Sequence, residues 1–154
     1  MASFQTTRRV AFEPELLFSI VADVARYGEF VPLCTGAKVW DEQMDGQGRR
    51  CFRASLDIAY PKLGLKETFV SDVVVDPERL TIRATSNEGP VKHIDNRWLF
   101  SSARGGCDID FHLDYQMSSR LLQMAMAGVF DVAVRKIMTA FEERARSLSD
   151  GGSA

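Results

Sequence analysis

Cys107-Asp108-Ile109-Asp110-Phe111-His112-Leu113-Asp114-Tyr115 alternates apolar and polar residues without a break, and the chain then runs into one helical pattern over residues 120–146. Alternation of period two marks a strand with one dry face and one wet face. Such a strand needs a cover, and the helix that follows it directly is the natural one. A curved antiparallel sheet wrapped around a long helix can leave an apolar hollow between them, which is a place to hold a greasy ligand.

Parity sorts the side chains. Ile109, Phe111, Leu113 and Tyr115 share the inner face, as do Ile94, Trp98 and Phe100 on the preceding segment, while Asp108, Asp110, His112 and Asp114 point the other way. The final helix would be about 40 Å long at 1.5 Å per residue. Leu122, Met126, Val129, Ala133, Ile137 and Phe141 form its inner stripe. Its first half is apolar nearly all round, and burial on two sides by the loops at 30–34 and 61–65 is the expectation. The alternative is a surface left for a partner or a membrane.

Upstream, residues 4–12 read as a first strand, and Glu13-Pro14-Glu15 opens a helix to residue 25 with Leu17, Ile20, Val21 and Val24 buried. Pro32 stops the apolar connection at 26–34 from continuing as a helix, so this loop is expected at one mouth of the sheet. Further strands are expected at 37–44, 50–58, 66–75, 80–86, 91–102 and 107–117, separated by turn signals such as Asp45-Gly46 and Glu88-Gly89-Pro90. The expectation is a single α+β domain over 1–148: a seven-stranded curved antiparallel sheet gripping a long C-terminal helix. Residues 149–154 read as a polar, disordered tail.

At 154 residues the chain can bury a substantial core without staples. Its net charge of −2, with both signs interspersed, argues against binding DNA by counterion release. Three separated cysteines, Cys34, Cys51 and Cys107, form neither a disulfide framework nor a paired-thiol zinc site, which suits a reducing, cytoplasmic compartment. The N-terminus carries no apolar stretch of signal-peptide length. The apolar run at 121–134 is interrupted by Gln123 and Asp131 and is too short to span a bilayer of roughly 30 Å.

No serine elbow, His-rich zinc motif or phosphate loop is present. His112 with Asp110 and Asp114 has the alternate spacing some metal sites use, but on the strand's polar face, so no metal is expected. His93 beside Lys92 and Asp95 reads as a surface histidine before it reads as a general base. Glu67 shares parity with Leu65, Phe69 and Val73, so it is either an interior acid or the partner of an arginine such as Arg53. Met117, Met124, Met126 and Met138 suit either an adaptable lining or plain core filling. Lys62-Leu63-Gly64-Leu65-Lys66 has the composition of a loop that dips into an anionic lipid surface, or of an ordinary surface loop.

Gly89-Pro90-Val91-Lys92-His93-Ile94-Asp95-Asn96-Arg97-Trp98-Leu99-Phe100, residues 21–34 and Ala140-Phe141-Glu142-Glu143-Arg144-Ala145 resemble the bacterial and mitochondrial coenzyme Q-binding START-like family. That family lies in the polyketide cyclase/dehydrase superfamily and also contains the ribosome-association toxin. The resemblance covers nearly the whole chain, with Leu33 standing where the family often carries Trp. It implies the helix-grip fold. Some relatives bind coenzyme Q and support respiratory electron transfer, while others block ribosomal subunit joining.

The inner-face pattern together with this resemblance implies noncatalytic binding of ubiquinone or a related isoprenoid lipid, with no catalytic cofactor. The expected lining is Val31, Leu33, Trp98, Phe100, Phe111, Leu113, Met117, Leu122, Met126 and Phe130, with Pro32, Pro61 and Leu63 in the gate loops. Transient contact with the inner membrane is a further expectation. A ribosome-associating translation inhibitor is the alternative, and a polyketide cyclase or aromatase a more distant one.

Overall fold

The computed structural model describes residues 2–127 and 130–152, excluding the side chains of Leu63, Phe130, Asp131 and residues 150–152. Strands β1 (Ala2–Val10), β2 (Cys34–Met44), β3 (Arg50–Tyr60), β4 (Leu65–Asp76), β5 (Thr81–Ser86), β6 (Val91–Ala103) and β7 (Gly106–Met117) form one antiparallel sheet. Its order is β1-β7-β6-β5-β4-β3-β2. From β2 onward each strand pairs with the next, and β1 closes against β7. Between β1 and β2 lie helices α1 (Pro14–Ala22) and α2 (Tyr27–Phe30), and after β7 come α3 (Arg120–Ala127) and α4 (Phe130–Gly152).

Turn chemistry sets the meander. Asp45 Oδ1 accepts the backbone N–H groups of Gln47 and Arg49 between β2 and β3, and Asp76 Oδ1 does the same for Glu78 and Arg79 between β4 and β5. Gly106 begins β7 where a Cβ would lie 1.9 Å from the carbonyl oxygen of Val10, so only glycine lets β1 and β7 close there.

Pro14 opens α1, and Leu17, Ile20 and Val21 are buried as the sequence pattern predicts. The helix ends at Ala22 rather than at residue 25. Asp23 leaves helical geometry, and a tight 3-10 turn over Val24–Arg26 redirects the chain into α2.

The C-terminal segment differs from expectation in three ways. Its helix continues to Gly152 through residues expected to be a tail, with 128–129, between α3 and α4, outside the described residues. The buried ridge of α4 is Val134, Met138, Phe141 and Ala145 beside Ala133, whereas Ile137 sits half-buried at its edge. Residue 129, placed on the expected stripe, lies outside the described residues. Finally, α3 is not covered on both sides: Leu121 is 80% and Met124 70% exposed. It rests on the end of β7, so Leu122 and Met126 reach the sheet while the opposite face points away.

On the convex face, residues directly opposite one another in β1 and β7 are bonded pairwise. Ser3 donates to Asp114, Thr7 to Asp110 at 2.6 Å and Arg9 to Asp108 at 2.8 Å. Arg53–Asp72 carries the same pattern between β3 and β4, and Arg83 of β5 reaches Asp95 of β6 diagonally.

Candidate ligand site

Registry places the inward residues in rows across the sheet. One row is Val75, Ile82, Trp98, Phe111 and Thr6; another is Phe52, Val73, Ala84, Asn96, Leu113 and Phe4. Toward the β3–β4 turn the rows shorten to Ala37, Leu56 and Phe69, and then to Cys34, Ile58 and Glu67.

Beneath α1 and α4 this surface is filled. The Trp98 ring lies 4.8 Å from Phe111, 5.7 Å from Phe141 and 6.0 Å from Phe100, and Phe18 meets Phe100 edge-on. Tyr27 and Phe30 complete the cluster, each 5.5 Å from Phe141. The polar atoms within it are satisfied internally. Trp98 Nε1 donates to Asn96 Oδ1 at 2.6 Å, Asn96 Nδ2 donates to the His112 carbonyl at 3.3 Å, and the Tyr27 hydroxyl donates to the Val21 carbonyl. Burial drives the Tyr27 phenol far above its usual range, so it stays protonated.

The other half is different. Ala37, Val39, Leu56, Ile58, Leu65, Phe69 and Ile94 face inward yet are only half-buried, as is Leu122 of α3. The main backbone contacts of α4 with other elements are to α1, β1 and α3, and those of α3 are to β7 and α4. Toward the β3–β4 turn, the inner face of β2, β3 and β4 is therefore an apolar floor that keeps partial solvent contact, whereas Phe52, Ala54, Val73 and Val75 of the same face are buried.

The expected lining residues fall into both halves. Trp98, Phe100 and Phe111 belong to the filled aromatic cluster, and Leu113 is buried in the row beside Asn96. Met117 and Met126 are buried and Leu122 half-buried where α3 meets β7. The side chains of Phe130 and Leu63 lie outside the described residues. Leu56, Ile58 and Phe69 of the open floor were not among the expected residues, although the alternation Phe52, Ala54, Leu56, Ile58 carries the signal that would have found them.

Val31 to Cys34 form a tight turn in which Val31 is buried and the Cys34 N–H donates to the Val31 carbonyl at 3.2 Å. Pro32 takes the second position, which suits its fixed φ, and Leu33 takes the third at φ +72°, where glycine is the usual occupant. The Leu33 carbonyl accepts the Ala59 N–H at 2.9 Å, which pins this turn beside the β3–β4 connection. Pro32 also borders a cleft of about 450 Å³ between α2 and α4. Pro61, directly after the end of β3, is exposed.

Ser118 bonds the carbonyls of Pro90 and Gly89, and the Ser119 hydroxyl caps α3 by accepting the Leu122 N–H at 3.0 Å. These bonds hold α3 at the same end as the β3–β4 and β5–β6 connections. Exposed Lys62, Lys66, Lys92 and Arg120 also belong to these segments, and none makes an ion pair among the described residues.

Reactive groups lie elsewhere. His93 pairs in register with Gln116 on the convex face, and His112 Nε2 lies 3.1 Å from Asp114 on that same face. Burial raises the Cys34 and Cys107 thiols above their usual range, the reverse of what an activated nucleophile needs. Among the described residues no group of three His, Cys, Asp or Glu side chains is arranged to hold a metal. Arg53, the sequence's candidate partner for Glu67, is bonded to Asp72 and Glu88 instead, each at 3.0 Å. Glu67 remains inward, half-buried and without a partner among the described residues.

Sheet, gripping helix and open apolar floor define a START-like helix-grip domain. The chain belongs to the polyketide cyclase/dehydrase and lipid transport family, whose model matches residues 10–142. It is 29% identical over 140 residues to the ribosome association toxin RatA of Vibrio cholerae, covering 90% of this chain and 92% of that one. It is 30% identical over 145 residues to the mitochondrial coenzyme Q-binding protein coq10 of Schizosaccharomyces pombe, covering 93% and 86%. An 18 kDa protein of Caulobacter crescentus has the same fold in solution, with a TM-score of 0.82, 29% identity and coverage of 97% and 99%. The Zhui aromatase/cyclase of Streptomyces, at 19% identity and a TM-score of 0.77, shares the fold, covering 94% of this chain and 93% of that one.

Proposed function

We propose that this protein binds an isoprenoid quinone such as ubiquinone, or a related lipid, without catalysing its conversion, and serves as a carrier or chaperone in respiratory electron transport. The observation that carries this reading is the half-exposed apolar floor of Leu56, Ile58 and Phe69 at the end of a solid core. Water on such a surface is unfavourable, at roughly 25 cal/mol per Å², so an apolar occupant is favoured. The coenzyme Q-binding relative supports the choice of quinone.

The same end meets a membrane in this reading. Leu121 and Met124 are exposed at the end of the sheet whose segments also carry exposed Lys62, Lys66, Lys92 and Arg120, a combination that suits an anionic lipid surface. Contact is peripheral, on the cytoplasmic side of the inner membrane; among the described residues no helix is long and apolar enough to cross.

The test is native mass spectrometry followed by lipid extraction, on protein purified gently from its own host. A co-purifying isoprenoid quinone supports the carrier. An empty protein that pellets with ribosomal subunits, less so as salt rises, supports the second reading, a ribosome-associating translation inhibitor. That reading is favoured by the RatA relatives, with the unpaired cations as phosphate contacts. A cyclase would need acid and base groups in the hollow, and Glu67 has no imidazole beside it there.

A further inference from the structure

Glu67 sits near the start of β4's inward face, close to the β3–β4 turn, between Leu65 and Phe69 and opposite Ile58 on β3. Those three neighbours pack toward the core, so the carboxylate shares their side of the sheet. A charged group on an apolar floor loses part of its hydration and normally recovers it from a partner. Arg53 is committed to Asp72 and Glu88. Lys66 and Thr68 flank Glu67 in sequence but face the convex side, where the Thr68 hydroxyl donates to Asp57. No described side chain supplies Glu67 with a hydrogen-bond donor.

A carboxylate accepts hydrogen bonds and donates none. The other inward polar groups do not share that restriction. The Asn96 amide is used at both ends, and the hydroxyls of Ser71 and Tyr60 donate as well as accept. Glu67 therefore selects for a ligand whose polar end carries a donor. The two oxidation states of a quinone differ in this respect: quinone carbonyls only accept, whereas hydroquinone hydroxyls donate. Placed against Glu67, a carbonyl oxygen meets like partial charge, and a phenolic hydroxyl makes a charge-assisted hydrogen bond.

We propose that Glu67 is the polar anchor of the hollow and that it makes the protein a binder of the reduced, hydroxyl-bearing form of its ligand in preference to the oxidised form. This rests on the lipid-binding reading and names the redox state of the cargo. The chemistry recognised is a phenolic hydroxyl, present on an isoprenoid hydroquinone and equally on a tailless hydroxylated aromatic.

The experiment is anaerobic calorimetric titration of the full chain with a short-tailed ubiquinol, the matching ubiquinone and a tailless dihydroxynaphthalene. The quinol is expected to bind roughly tenfold more tightly than the quinone, the scale of one partly wet hydrogen bond to a charged group. Glu67→Gln, nearly isosteric and able to donate, brings the two within about twofold, and Glu67→Leu removes the preference while leaving quinone binding intact. Equal affinities in the wild type, or an unchanged preference in Glu67→Gln, overturn the anchor and leave the lipid reading standing. Naphthalenediol binding that matches the quinol and needs Glu67 keeps the anchor but removes the isoprenoid from the function. Failure of all three ligands to bind ends both.

Discussion

Arg8 Nη2 lies 2.7 Å from Glu142 Oε1, and Arg8 Nη1 donates to the Thr139 hydroxyl at 3.1 Å. This guanidinium faces inward from the edge strand β1 and clasps α4, tying the cover of the sheet to its margin. Both side chains keep partial solvent contact, at 32% and 21% exposure, so the pair is worth little more than a good surface bridge. A double-mutant cycle with Arg8→Ala and Glu142→Ala, read by urea unfolding, should give a coupling energy of about 1 kcal/mol.

The two halves of the inner face should respond oppositely to substitution. Phe141 is 1% exposed and touches Tyr27, Phe30 and Trp98, so Phe141→Ala should cost about 3–5 kcal/mol in urea unfolding. Leu56 is half-buried on the open floor, and Leu56→Gln should cost only about 1 kcal/mol while reducing lipid uptake at least severalfold. Unchanged uptake in Leu56→Gln would move the site away from β3.

Leu33 at φ +72° carries backbone strain that its side chain does not relieve. A β-branched residue tolerates this region worst and asparagine comparatively well. Leu33→Ile should therefore be less stable than Leu33→Asn by about 1 kcal/mol, although isoleucine preserves the apolar volume. Thermal denaturation of the pair checks the sign.

Asp95 receives two hydrogen bonds from Arg83, at 3.0 and 2.8 Å, and this partner first, with Arg97 beside it, holds its carboxyl below the usual range. A carboxylate whose pKa is lower folded than unfolded stabilises the protein above the unfolded value, near 3.9, and loses that contribution as pH falls through the folded one. Asp95→Asn should thus be less stable than wild type at pH 6, by no more than about 1 kcal/mol because Arg83 is largely exposed. The gap should close as the pH drops below about 4.

Much of the architecture was legible in local pattern. The alternation at 107–115 placed β7 and its faces correctly, because period two is a property of the strand itself. The turn residues at Asp45 and Asp76 marked the hairpin ends for a similarly local reason. The ridge of α4 was read with less success. Ile137 and Val134 are both apolar, and only the placement of the helix on β1 and α1 decides which is buried.

Sequence by itself determined the succession of strands and helices along the chain, the faces of β6 and β7 and the family resemblance, all carried by short-range periodicity and motif. Tertiary structure alone decided how the inner face divides. Phe141, Trp98 and Phe18 come from distant segments and fill one half with rings, while Leu56, Ile58 and Phe69 stay only half-buried at the other end. It also decided that Glu67 stands alone among the described residues, since the register sets Arg53 opposite Asp72 on the convex face, away from Glu67. Packing and pairing between remote segments are cooperative, so no local pattern encodes them.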